Sequence, residues 1–166
     1  MATVLAAAMA AVPGTAQAQQ STVTDAAGDA FRGGLDITSV TVRNADRAVV
    51  FTLRFVRDRP GDVIVNVKPR HRPAGLIVSR HRRTGPDKVL FISRDGQPCR
   101  GLSSDWNRRA ATVELRLPAR CLNGGNYGAV RFWALIEGPG SGGGDVDYAP
   151  QTADGDIRFS EWVPRG

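Results

Sequence analysis

Several ingredients are scarce in this sequence, and each scarcity closes off a class of protein. No segment sustains an apolar period of 3.6 residues, so no amphipathic helix and no helical bundle is expected. Histidine occurs twice, at His71 and His81, and cysteine twice, at Cys99 and Cys121. The two pairs lie in different stretches, whereas a tetrahedral zinc site takes four ligands at paired spacings. Neither Gly-x-Ser-x-Gly nor His-Glu-x-x-His is present. A serine hydrolase needs a base beside its nucleophile, and both histidines sit among arginines in the sequence, where neighbouring cations depress their proton affinity. With three glutamates in the chain, a glycosidase pair would have to draw on loop aspartates. The expectation is a chain that is not an enzyme. Lysine is limited to Lys68 and Lys88, so the net charge of +6 is carried by arginine, an imbalance that points first to a GC-rich genome.

What is present begins with an uncharged leader, Met1 to Ala18. Val4 to Val12 are almost all Ala, Val, Leu and Met, and Ala16-Gln17-Ala18 has the small-x-small form of a signal-peptidase site, so cleavage is expected after Ala18. The apolar run is too short to span a bilayer, and no membrane span is expected in the mature chain. No basic residue precedes Val4, so the leader is expected to lack its upstream Arg/Lys segment. Residues 19–166 then form one domain, of a size that buries a single core, in a secreted, extracellular protein. In that compartment two cysteines imply one bridge, Cys99 to Cys121. Closing about 22 residues contributes about 3 kcal/mol through loop entropy.

Local pattern reads as strand throughout. Val49, Phe51, Leu53 and Phe55 alternate with Thr52 and Arg54, the period of two of a half-buried strand, and Leu35 to Arg43 precedes it across Asn44-Ala45-Asp46 as the other arm of a hairpin. Further strands are expected at Asp62 to Val67, Gly75 to Ser79, Lys88 to Ser93, Ala111 to Leu117, Ala129 to Glu137 and, last, Asp156 to Trp162. Pro69, Pro73, Gly85-Pro86, Asp95-Gly96, Pro118 and Gly124-Gly125 punctuate them. A single helical turn is expected at Pro118 to Leu122, and Gly138 to Gly144 reads as a flexible linker. About nine short strands predict an all-β, antiparallel two-sheet sandwich of jelly-roll or immunoglobulin-like type.

Three stretches carry a resemblance: Asp25-Ala26-Ala27-Gly28-Asp29 with Leu35-Asp36-Ile37, Leu117-Pro118-Ala119-Arg120-Cys121-Leu122, and Asp147-Tyr148-Ala149-Pro150 with Phe159-Ser160-Glu161-Trp162-Val163. In these the chain resembles a group of small secreted actinobacterial proteins similar to the carbohydrate-binding family 9 and DOMON type of β-sandwich. The resemblance implies the sandwich and the disulfide, and no established activity. The chain departs from that group at Lys68-Pro69-Arg70-His71-Arg72, where similar proteins tend to have an acidic strand end, so no ligand role for that edge carries over.

Three sets of residues are candidates for binding. Asp25, Asp29 and Asp36 cluster near the start and Asp145, Asp147, Asp154 and Asp156 near the end, and the first and last strands of a sandwich are often neighbours. Calcium takes six to eight oxygen ligands, and Gly28 lets two carboxylates face one point. Asp25, Asp29, Asp36 and Asp147 are therefore the candidate calcium ligands, while the same residues also simply make turns. Basic residues gather at Arg57 and Arg59, at Lys68 to Arg72 and at Arg80-His81-Arg82-Arg83, either a solvated face or an attractor for an anionic glycan or cell-wall polymer. No specific nucleic-acid partner is expected, since neither a recognition helix nor a strand of spaced aromatics is present. For sugar stacking, Trp106 in the polar stretch Ser103 to Asn107 is expected to be the exposed aromatic, with Tyr148 next and Trp133 filling the core. The functional expectation is a non-enzymatic extracellular binding or accessory module, the alternative being a structural or protein-interaction domain without a small-molecule ligand.

Overall fold

The computed structural model describes residues 19–31, 34–94, 96–138 and 146–166. The expected leader and most of the glycine-rich segment, with Asp95 and Asp145, lie outside the described residues.

Among the described residues ten strands form two five-stranded sheets, and every pairing within them is antiparallel. The strands are β1 (Gln19–Thr24), β2 (Ile37–Ala45), β3 (Ala48–Phe55), β4 (Gly61–Pro69), β5 (Gly75–His81), β6 (Lys88–Ile92), β7 (Ser103–Asn107), β8 (Thr112–Pro118), β9 (Val130–Glu137) and β10 (Val146–Ala149). One sheet has the order β1-β2-β3-β8-β7 and the other β10-β9-β4-β5-β6. The chain crosses between them after β3, β6 and β8. This is the expected two-layer sandwich, and the expected strands recur with their ends moved by one or two residues. The expected turn after Pro118 is a 3₁₀ turn at Ala119–Cys121.

Alternation decides which side chains enter the core. Val49, Phe51 and Leu53 of β3, Val63, Val65 and Val67 of β4, and Phe132, Ala134 and Ile136 of β9 are fully buried between the sheets. Phe51 and Phe132 meet edge to face across the gap, with centroids 5.4 Å apart.

One expectation is corrected: residues 156–162 do not form a strand. Isolated bridges join Gln151 to Ile157 and Val130 to Val163, and Ser160 exchanges hydrogen bonds with Phe132 through its N–H and its hydroxyl. The segment follows the edge of β9 below the short β10, anchored residue by residue. Its apolar pattern was readable, but which edge had room for it is a tertiary matter. Asn44 fixes its far end, donating from Nδ2 to the carbonyls of Val163 and Gly128 while accepting from the Tyr127 hydroxyl. The strands with weak alternation, β1, β7 and β10, escaped sequence reading; each is an edge strand whose outward side is polar or short.

Cys99 and Cys121 form the expected disulfide. It joins the β6–β7 crossing to the 3₁₀ turn after β8, so it fastens one inter-sheet connection to another. Replacing both cysteines by serine is expected to lower unfolding free energy by about 3 kcal/mol in denaturant titration, with the β-type circular dichroism spectrum kept. A loss below about 1 kcal/mol would show that the crossing is held by its packing instead.

Candidate functional site

The strongest convergence of polar groups lies at the open end of β1, β2 and β10. The amide of Asp25 donates to the Thr38 carbonyl at 3.0 Å, extending the β1–β2 ladder by one step. The chain then turns through Ala27 and Gly28, whose φ of +90° only glycine adopts without strain. Asp36 closes the loop by accepting from the Gly28 amide at 2.7 Å. In β2 the register shifts between Ile37 and Ser39. Such a bulge re-aims backbone groups, and the freed Ile37 amide donates across the sandwich to Asp147 Oδ2 at 2.5 Å. Asp147 points inward from β10, is 1% exposed, and accepts a second bond from the Tyr148 amide.

Asp25, Asp29 and Asp147 each present a carboxylate oxygen within 4.8 Å of the other two, a cluster that can hold a metal ion such as calcium. Calcium–oxygen distances are about 2.3–2.6 Å, so oxygens bound to one ion lie up to about 5 Å apart. Among the described residues, none of the ion pairs reaches these three carboxylates. Burial first, then repulsion from Asp29, raises Asp25 to a pKa of about 6. Burial raises Asp147 to about 7, with Asp25 and Asp29 adding repulsion against the lowering effect of the Ile37 amide. Asp25 Oδ2 and Asp36 Oδ1 are buried without a hydrogen-bond partner. Three of the four carboxylates expected from sequence thus converge, while Asp36 braces the loop through Gly28. Asp154 and Asp156 are exposed in a separate turn. Gln151, which sequence reading missed, donates from its amide to Asp29 Oδ2 at 3.3 Å and to the Tyr148 carbonyl at 3.0 Å; no spacing rule would have selected it.

The expectations for two of the tryptophans reverse. Trp106 faces the interior from β7, donates from Nε1 to the buried Ser79 hydroxyl, and stacks on Phe55 and on His81 with centroids 5.7 and 4.1 Å away. Trp133 lies on the outer face of β9, because Val130, Phe132, Ala134 and Ile136 take the inward parity. The same alternation was legible in sequence and outweighs the tendency of large aromatics to be buried. Trp162 lies beneath two guanidinium groups, Arg70 at 5.0 Å and Arg131 at 4.8 Å, and Arg131 also covers Phe159 at 4.4 Å.

The expected environment of His81 is corrected as well. Its neighbours in sequence, Arg82 and Arg83, are exposed, while its ring sits between Asp87 Oδ1 at Nδ1, 3.0 Å, and Asp58 Oδ1 at Nε2, 2.9 Å. Ring and carboxylates close the head of the β4–β5 hairpin, under Trp106. Arg80 is bound to Asp62 through Nε and Nη2 at 2.6–3.1 Å. Tyr148 faces outward from β10, so Trp106, Tyr148 and Arg80 to Arg83 do not form one site.

Comparison with family models, with curated proteins and with solved structures finds no significant match to the chain.

The acidic cluster makes stability depend on pH in the metal-free protein. Between the ordinary carboxylate pKa of 3.8 and about 7, folded Asp147 and Asp25 hold protons that the unfolded chain releases. Stability therefore falls as pH rises through that window. With chelator present, thermal unfolding midpoints are expected to decrease from pH 4.5 to 7.5, and Asp147→Asn is expected to flatten the decrease. A midpoint that rises over this range in the parent chain would contradict the electrostatic reading of the cluster.

Proposed function

We propose that the chain is an exported, non-enzymatic accessory module in which calcium, held by Asp25, Asp29 and Asp147, joins the β1–β2 loop of one sheet to β10 of the other. The observation that carries this reading is the convergence of three carboxylates without a cation among the described residues, one of them facing the interior. Hard oxygen donors of this kind suit calcium, which completes its six to eight ligands with backbone carbonyls and water. The disulfide supports an oxidising compartment, in agreement with the leader. No helix among the described residues is long and apolar enough to cross a membrane. For a non-catalytic role, the supporting observation is His81: both ring nitrogens are engaged by carboxylates and the ring is buried, which removes it as a base for an external substrate. The likeness of the terminal motifs to family 9 and DOMON-like secreted sandwiches belongs to the same reading.

Millimolar calcium is expected to raise the unfolding midpoint relative to chelator. At a concentration 100 times the dissociation constant the gain is about 2.7 kcal/mol, or roughly 5–10 °C for a chain of this size. Asp25→Asn and Asp147→Asn are each expected to abolish the response. An unchanged midpoint across the calcium series in the parent chain removes the ion from this reading.

A second reading concerns a partner. The Arg70–Trp162–Arg131 stack sets two fixed cations against an aromatic ring beside Lys68, an arrangement suited to an anionic glycan or cell-wall polymer. Retention on an immobilised anionic polysaccharide is expected to weaken with added salt and with Arg70→Ala and Arg131→Ala together. No retention at low salt favours the alternative, a structural or protein-interaction domain.

A further inference from the structure

The two outer faces of the sandwich differ in kind. On the β1-β2-β3-β8-β7 sheet the outward side chains are those of a solvated surface, for example Thr22, Thr41, Thr52, Arg54, Glu114 and Asp105. On the other sheet, outward residues in register across all five strands are Tyr148, Leu135, Ile64, Val78 and Leu90. The next row toward the foot of the sheet runs Trp133, Asn66, Leu76 and Ile92. Leu90 and Ile92 are 49% and 53% exposed. An antiparallel sheet that meets only water alternates apolar-in and polar-out, and β-branched and leucine side chains supply few polar contacts for a sugar. The row nearest the head of the sheet is charged and ordered: Glu137 on β9, Asp62 on β4, Arg80 on β5 and Lys88 on β6.

We propose that the outer face of the β10-β9-β4-β5-β6 sheet is covered by the same face of a second copy of this chain. The charged row supplies the reason for choosing a second copy over another partner. Its signs run minus, minus, plus, plus, so they invert about a line between β4 and β5. A two-fold axis along that line sets Glu137 opposite the second copy's Lys88, and Asp62 opposite the second copy's Arg80. The same operation sets Leu135 opposite Leu90, Ile64 opposite Val78 and Trp133 opposite Ile92. An isologous contact requires this self-complementarity, and the aligned packing it produces is that of two sheets in a sandwich. At the foot of the sheet, Arg131 is drawn aside onto Phe159 and Trp162, away from the symmetry line.

The axis between β4 and β5 overlays four strands, β9, β4, β5 and β6, and leaves β10 outside the contact. Four strands and three rows cover roughly 19 by 20 Å, so the contact buries on the order of 800 Å² from both copies together. That is smaller than a stable specific interface and falls in the range of weak, transient contacts, so a weak dimer that forms at high concentration is expected. The inference goes beyond the calcium reading and does not depend on it, since the acidic cluster lies between the sheets at one end and the proposed face lies outside.

Sedimentation velocity of the purified chain from about 1 μM to about 1 mM is expected to show a concentration-dependent monomer–dimer equilibrium. Leu90→Glu is expected to leave a monomer over the whole range, with circular dichroism and unfolding midpoint unchanged. Glu137→Lys and Lys88→Glu are each expected to weaken the dimer about tenfold, about 1.4 kcal/mol, and the two together to restore it; this pair keeps the test open if Leu90→Glu fails to fold. A chain that stays monomeric at the highest concentration overturns the proposal. So does a dimer indifferent to Leu90→Glu but broken by Val89→Pro, which would place the contact on the β6 edge. A double charge reversal that adds the two losses, with no recovery, overturns the two-fold.

Discussion

One buried carboxylate governs how the two sheets meet. Asp147 is an acidic side chain at an inward position of an edge strand, where an apolar residue would ordinarily sit, and it is tolerated because the bulge in β2 turns the Ile37 amide toward it. A carboxylate in that position costs several kcal/mol unless its charge is met. Two backbone amides meet part of it, and the rest is expressed as a raised proton affinity that Asp25 and Asp29 reinforce. The end of the sandwich where β1, β2 and β10 converge is therefore electrostatically incomplete, and the closure of the two layers there is coupled to whatever cation or proton completes it. At the other end the closure is made by the hydrogen bonds of Asn44 with Val163, Gly128 and Tyr127, and by the Arg165 guanidinium, which donates to the Gly125 and Asp46 carbonyls and lies over the Tyr127 ring.

The frame was legible in sequence wherever a strand is central. Val49, Phe51, Leu53 and Phe55, and again Val63, Val65 and Val67, carry a period of two that has one physical meaning, a strand covered on one face. Edge strands lose that signal because one neighbour is missing and their side chains need not be apolar; Ser103–Asn107 contains a single inward aromatic in an otherwise polar run. The acidic cluster was legible by type and by loop chemistry, through Asp25, Gly28 and Asp29. Its third member was reached by supposing that first and last strands adjoin. The contact in fact runs across the gap between different sheets, by a side chain to a backbone amide.

Where sequence proximity was used as a stand-in for spatial proximity, it misled. His81 is flanked in the chain by arginines, yet adjacent residues on a strand point to opposite faces, so Arg80 and Arg82 go outward as the ring goes in. The carboxylates that reach it, Asp58 and Asp87, come from the loops before β4 and before β6, and nothing in their spacing links them. Trp133 shows the complementary error, since parity along β9 decided its face and residue type did not.

The interior position of Trp106 has an optical consequence. Of the three tryptophans, it alone stands between the layers, its indole against the His81 ring and hydrogen-bonded to a hydroxyl of the opposite sheet. Trp133 and Trp162 report on the outer surface, whereas the emission of Trp106 is set by the distance between β7 and β5. The molecule thus carries an internal gauge of how tightly its two halves are closed, placed on the side of the sandwich away from β10 and the cluster around Asp147.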